Sequence, residues 1–174
     1  HESTPQGALL SYQKQDFGGL SFDAPRLEIA HNLGDKWYAD VEMEHGKYKG
    51  DDVISSRIGE ESNAALTLIR SVENGSWKLF ADTSQRQDDD RNGLGLSRMW
   101  QLGSSHQLET GLDWHRKSDD SGLMRAFGQQ DRAWVGGRHG LTARDQLSWE
   151  VAQRSFSTRA GDSLGSGHAV KLEL

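Results

Sequence analysis

Along residues 37–44, Trp37, Ala39, Val41 and Met43 alternate with Tyr38, Asp40, Glu42 and Glu44. Successive side chains of a strand point to opposite faces, so this spacing predicts a strand that is apolar on one face and acidic on the other. The pattern recurs at Trp77, Leu79 and Ala81 against Lys78, Phe80 and Asp82, and at Leu108, Thr110, Leu112 and Trp114 against Glu109, Gly111, Asp113 and His115. It recurs again at Leu147, Trp149 and Val151 against Ser148, Glu150 and Ala152, and at Val170, Leu172 and Leu174 against Lys171 and Glu173. Weaker alternation covers residues 8–17, 20–33, 57–72, 94–102 and 132–141. Roughly ten strands are predicted, with ends uncertain by two to four residues.

The connections predict a rhythm of short and long. Short turns are expected at Leu33-Gly34-Asp35-Lys36, Glu73-Asn74-Gly75-Ser76, Gly103-Ser104-Ser105 and Thr142-Ala143-Arg144-Asp145. The Asn-Gly pair suits a type I′ hairpin, whose two central residues need positive φ. Longer polar connections are expected from Gly46 to Ser56, Asp88 to Gly93, Ser118 to Asp131 and Arg159 to Gly167. Short turns on one side and long loops on the other mark an antiparallel up-and-down transmembrane β-barrel, with the short side toward the periplasm. Trp37, Trp77, Trp100 and Trp149 fall near short turns, where a barrel carries an interfacial belt of indoles. In a soluble β-sandwich the same residues would be core aromatics. Arg98 stands against the barrel reading: it shares parity with Leu94, Leu96, Trp100 and Leu102, and a cation at mid-bilayer costs about 2–4 kcal/mol. A bulge, or a strand that faces something other than lipid, is expected there.

Composition narrows the choice. Of 174 residues 34% are hydrophobic, with Gly at 20, Pro at 2, Cys at 0 and Trp at 6, a mixture that suits many strands and polar turns better than a helical globule. Without cysteine there is neither a disulfide framework nor a thiolate metal site. The net charge of −6 comes from interleaved acids and bases, with no basic stripe for nucleic acid. No apolar run approaches the roughly 20 residues of a membrane helix, so passage through a bilayer would be as a barrel. His1-Glu2-Ser3-Thr4-Pro5 lacks a signal region, and the chain is expected to begin after processing or within a longer protein.

Candidate chemistry is sparse. Asp88-Asp89-Asp90-Arg91-Asn92-Gly93 matches the first half of a calcium loop, but the twelfth position is Met99 where a bidentate Glu belongs. Seven His residues show no ligand spacing, and His45, His115 and His168 are placed near loop ends. No segment sets a nucleophile beside a base, so neither an enzyme, a cofactor nor a metal is expected. Asn74-Gly75-Ser76 fits a glycosylation pattern but reads as a tight turn. What remains is the polar face: Asp40, Glu42, Glu44, Lys78, Asp82, Arg86, Glu109, Asp113, Arg132, Arg138, Glu150, Arg154, Lys171 and Glu173. In a barrel it lines the lumen and sets a mildly negative field, or its charges pair across strands and fill the interior. The residues leave both open.

The segments 77–82, 106–114 and 141–149 resemble the barrel region of polysaccharide-export porins, nearest the Pel exopolysaccharide porin family, in which periplasmic tetratricopeptide repeats precede a barrel of about sixteen strands. The resemblance implies export of a partly cationic amino-sugar polymer across the bacterial outer membrane during biofilm formation, with periplasmic or lipoprotein partners. It carries no catalytic residue over. The chain shows no helical repeats, and about ten strands are too few for such a wall, so residues 1–174 are expected to be a single barrel domain or a fragment of a larger barrel. Three rivals stay open: a small structural or adhesive barrel without a pore, a membrane-embedded hydrolase and a soluble β-sandwich binding module.

Overall fold

The computed structural model describes residues 6–17, 20–50, 59–86, 89–119, 128–141, 145–158 and 160–174. They form ten strands: β1 (Gly7–Phe17), β2 (Leu20–Asn32), β3 (Trp37–Gly50), β4 (Glu60–Val72), β5 (Gly75–Arg86), β6 (Asp89–Gln101), β7 (His106–Asp119), β8 (Gln129–Gly140), β9 (Gln146–Ser157) and β10 (Ser163–Glu173). Each pairs antiparallel with its sequence neighbours in one sheet ordered β1 to β10. Among the described residues β1 pairs only with β2 and β10 only with β9, so the sheet is an open, partial barrel wall.

Directly paired residues share a face, and the register therefore carries one parity across all ten strands. The apolar face runs through Leu27 and Ile29, Val41 and Met43, Leu66 and Leu68, Leu79 and Ala81, Leu94 and Leu96, Leu112, Ala133 and Val135, Val151 and Val170. Among the described residues no second layer covers it. Leu112 is 64% exposed and Val170 78%, and among the described residues no large side chain is fully buried. A β-sandwich buries its apolar faces between two sheets, so that alternative does not describe this chain.

Several local expectations are corrected. The Glu73–Asn74 turn has negative φ at both residues, and only Gly75, the first residue of β5, lies at positive φ (132°), so the hairpin is not the type I′ turn that Asn-Gly suggests. Asp89 to Gly93 is not a loop but the start of β6, paired with Arg86 to Asp82; Asp88 lies outside the described residues. β10 begins at Ser163, well inside the loop expected up to Gly167. Connections on that side of the sheet are thus unequal: nine residues separate β3 from β4, but only two separate β5 from β6, because long strands extend beyond the apolar zone. Thr142, Ala143 and Arg144 lie outside the described residues.

Proline and glycine shape the ladder at two places. Pairing of β2 with β3 skips Ala24 and Pro25, since proline brings no N–H to the ladder. Beside this gap the Phe22 ring lies where a Cβ on Gly46 would sit, 2.1 Å from it, and packs on Tyr48 with centroids 4.6 Å apart. The Trp134 indole covers Gly111 in the same way, 2.6 Å from an imagined Cβ.

Candidate functional site

The charged face is the candidate site, and it is assembled by register rather than by any single loop. Asp40, Glu42 and Glu44 of β3, Lys78 and Asp82 of β5, and Glu109 and Asp113 of β7 all have the parity opposite to the apolar face. Arg132 and Arg138 of β8, Glu150 and Arg154 of β9, and Lys171 and Glu173 of β10 share it. Arg86 ends β5, with its side chain outside the described portion. The register adds residues that the weaker alternation of β2, β4 and β6 hid: Arg26 and Glu28, Glu61 and Asn63, and Arg91. Carrying parity through each hairpin from a strong strand to its weak neighbour is the signal that finds them.

The charges are unevenly spread. On β2, β3 and β4 the face carries Glu28, Asp40, Glu42, Glu44 and Glu61, and Arg26 is the one cation among its described residues. Arg26 holds Glu28 at 2.7 Å and Glu42 at 3.0 Å, while Glu44 is met by the Asn63 amide at 3.4 Å. Across β7 to β9 the described side chains balance, with Glu109, Asp113 and Glu150 against Arg132, Arg138 and Arg154. Arg132, with its side chain only 20% exposed, donates to Asp113 at 2.8 Å and also pairs with Glu150. Arg154 of β9 is directly paired with it, and Arg138 lies six residues further along β8. Glu109 accepts from Ser97 at 2.9 Å, and Lys171 pairs with Glu173 at 2.7 Å. One side of the sheet is therefore an acidic arc and the other an arginine-centred network.

The opposite face is zoned along the strands. Beyond the apolar zone, toward the β3–β4 and β7–β8 connections, it carries the ion pairs Lys47–Glu60 (2.5 Å) and Lys49–Asp23 (2.7 Å). Toward the turns at 33–36, 73–74 and 102–105 and the ends of β8 and β9 that follow on from them, it carries Trp37, Trp77, Trp100 and Trp149 together. Trp149 lies over Gly137 and donates its Nε1–H to His139 Nε2 at 2.9 Å. Arg98 needs no bulge: β5 and β6 pair without interruption, and its guanidinium sits 5.6 Å and 5.2 Å from the ring centroids of Trp77 and Trp100. Arg98 belongs to the tryptophan zone, three residues from the end of β6, and not to the middle of the apolar zone.

The other two tryptophans fall elsewhere. Trp114 lies on the apolar face toward the long connections, and Trp134 on the charged face. Asp90, Arg91, Asn92 and Gly93 alternate between the two faces of β6, so they cannot converge on an ion, and no group of three or more potential metal ligands occurs among the described residues.

Comparison with known families adds one finding to this geometry. The model of PelB, C-terminal beta barrel domain, matches residues 2–174. None of the curated proteins compared matches the chain.

Proposed function

Because the chain belongs to the PelB C-terminal beta barrel domain family, we propose that it forms part of the wall of an outer-membrane pore through which an exopolysaccharide leaves the cell. The family is an export barrel of the outer membrane rather than an enzyme family, and its polymer is a polysaccharide. In this reading the apolar face meets acyl chains, the four tryptophans form the belt at the periplasmic rim, and the charged face lines the lumen.

The observation that carries the proposal is the two-faced single sheet. Its apolar side is exposed along all ten strands, a condition that water penalises at about 25 cal/mol per Å² and that hydrocarbon does not. On the lumen side the acidic arc of β2–β4 supplies a negative field that favours cationic or neutral polar chains, and the Arg132 network braces the wall opposite.

Planar-bilayer recording of the full-length protein tests this. Open-channel current is expected with a preference for cations, and the triple change Asp40→Asn, Glu42→Gln and Glu44→Gln is expected to lower that preference without closing the channel. A barrel that inserts but never conducts would refute the pore and favour the small structural or adhesive barrel instead.

A further inference from the structure

Four residues on adjacent strands form a cross-strand row on the apolar face: Trp37 is paired with Arg70, Arg70 with Trp77, and Trp77 with Arg98. The row is held by stacking. The Arg70 guanidinium lies 5.4 Å from the Trp37 ring centroid, and that of Arg98 lies between Trp77 and Trp100. Strands are spaced by about 4.8 Å, so the two arginines start roughly 10 Å apart and their side chains can reach one headgroup.

Neither guanidinium has an acid beside it, unlike Arg26 and Arg132 on the charged face. No carboxylate pairs with either guanidinium among the described residues, and the neighbours on this part of the face are Leu68, Val72, Leu79, Leu96, Leu108 and Thr110. Asp35, two residues before Trp37, and Glu73, three after Arg70, are in the turns, and Glu109, near Arg98 on β7, is on the charged face. One Arg98 N–H donates to Met99 O at 2.6 Å, which leaves the rest of its fork unused. An indole under a guanidinium fixes its plane and leaves the N–H edge free, and that edge matches two oxygens of a phosphate.

We propose that Arg70 and Arg98, set by Trp37, Trp77 and Trp100, form a binding site for the phosphate of an anionic glycerophospholipid at the short-turn rim. This rests on the reading that the apolar face meets lipid. The lipid is the occupant because the site lies at the border of an apolar zone and a polar rim, where acyl chains and phosphate are presented together.

The test is native mass spectrometry of the full-length protein, released from mixed micelles of phosphatidylglycerol and phosphatidylcholine. Phosphatidylglycerol is expected to be retained preferentially. Arg70→Gln and Arg98→Gln are each expected to weaken its retention about fivefold, and the pair together about 25-fold, the worth of one and two cations near an anionic surface. Arg116→Gln, at the far end of the same face, should change nothing. Folding of each variant is read from heat-modifiable gel mobility; should the double Gln variant not fold, Arg70→Lys with Arg98→Lys keeps the charge, loses the fork and should still weaken retention. Phosphatidylglycerol retention that ignores these changes in a folded, inserted barrel overturns the site alone. Equal, arginine-dependent binding of inorganic phosphate overturns the lipid as its ligand. Failure of the protein to enter vesicles at all overturns the lipid-facing reading, and the site with it.

Discussion

Leu112→Arg isolates the medium around the apolar face. Leu112 is 64% exposed and is paired directly with Leu96 of β6 and Ala133 of β8, neither of them charged. On a water-facing surface such a change falls within about 0.5 kcal/mol of neutral, because the side chain exchanges one hydrated position for another. In the middle of a bilayer, arginine costs about 2–4 kcal/mol, which lowers the folded-to-unfolded ratio about 30-fold to nearly 1,000-fold. Glu42→Gln, on β3 and on the opposite, charged face, is the control. Its partner Arg26 keeps Glu28 at 2.7 Å, and the pair that is lost is partly exposed, worth about 0.2–1 kcal/mol. Guanidinium titration of the protein folded into phospholipid vesicles, with tryptophan fluorescence and gel mobility as readouts, gives both numbers. If Leu112→Arg costs no more than Glu42→Gln, the apolar face does not meet hydrocarbon and the assignment of the two faces is refuted.

Three further outcomes are expected. Gly111→Ala places a methyl within 2.6 Å of the Trp134 indole and should destabilise by about 1–3 kcal/mol, with most of the loss recovered in a Trp134→Ala background; additive losses in the same titration would deny the contact. Arg132→Met leaves Asp113 and Glu150 facing each other without their cation and should cost about 3 kcal/mol, whereas adding Asp113→Asn and Glu150→Gln should restore part of it; no recovery would mean the network is not what the arginine serves. Trp149→Phe keeps a ring over Gly137 but loses the bond to His139, so the unfolding midpoint should drop by the equivalent of about 1 kcal/mol; an unchanged midpoint would show that the bond adds nothing.

The local pattern was enough to read the strands and their two faces. On a strand the direction of a side chain follows from odd or even position alone, so Trp37-Tyr38-Ala39-Asp40-Val41-Glu42 announces its apolar and acidic sides without reference to any neighbour. That is why β3, β5, β7, β9 and β10, and the charged residues on them, were legible, and why Trp37, Trp77, Trp100 and Trp149 could be grouped by their distance from a turn. Turn chemistry was less secure. Asn74-Gly75 marked the hairpin correctly but not its shape, because the paired strands on either side fix the φ values.

Which residues stand side by side is a different matter, since it depends on hydrogen-bonded register between segments, several of them irregular in sequence. Arg98 looked like a misplaced cation along its own strand, and only pairing with β5 sets it against Trp77 and in line with Arg70. Glu28 and Glu61 lie in weakly alternating strands, and only the ladder joins them to Asp40, Glu42 and Glu44 as one acidic arc. The union of Asp113, Arg132 and Glu150 draws on three strands at once. A single chain determines where each side chain points; the tertiary structure determines what it meets, because ladder pairing is a long-range choice made by all ten strands together.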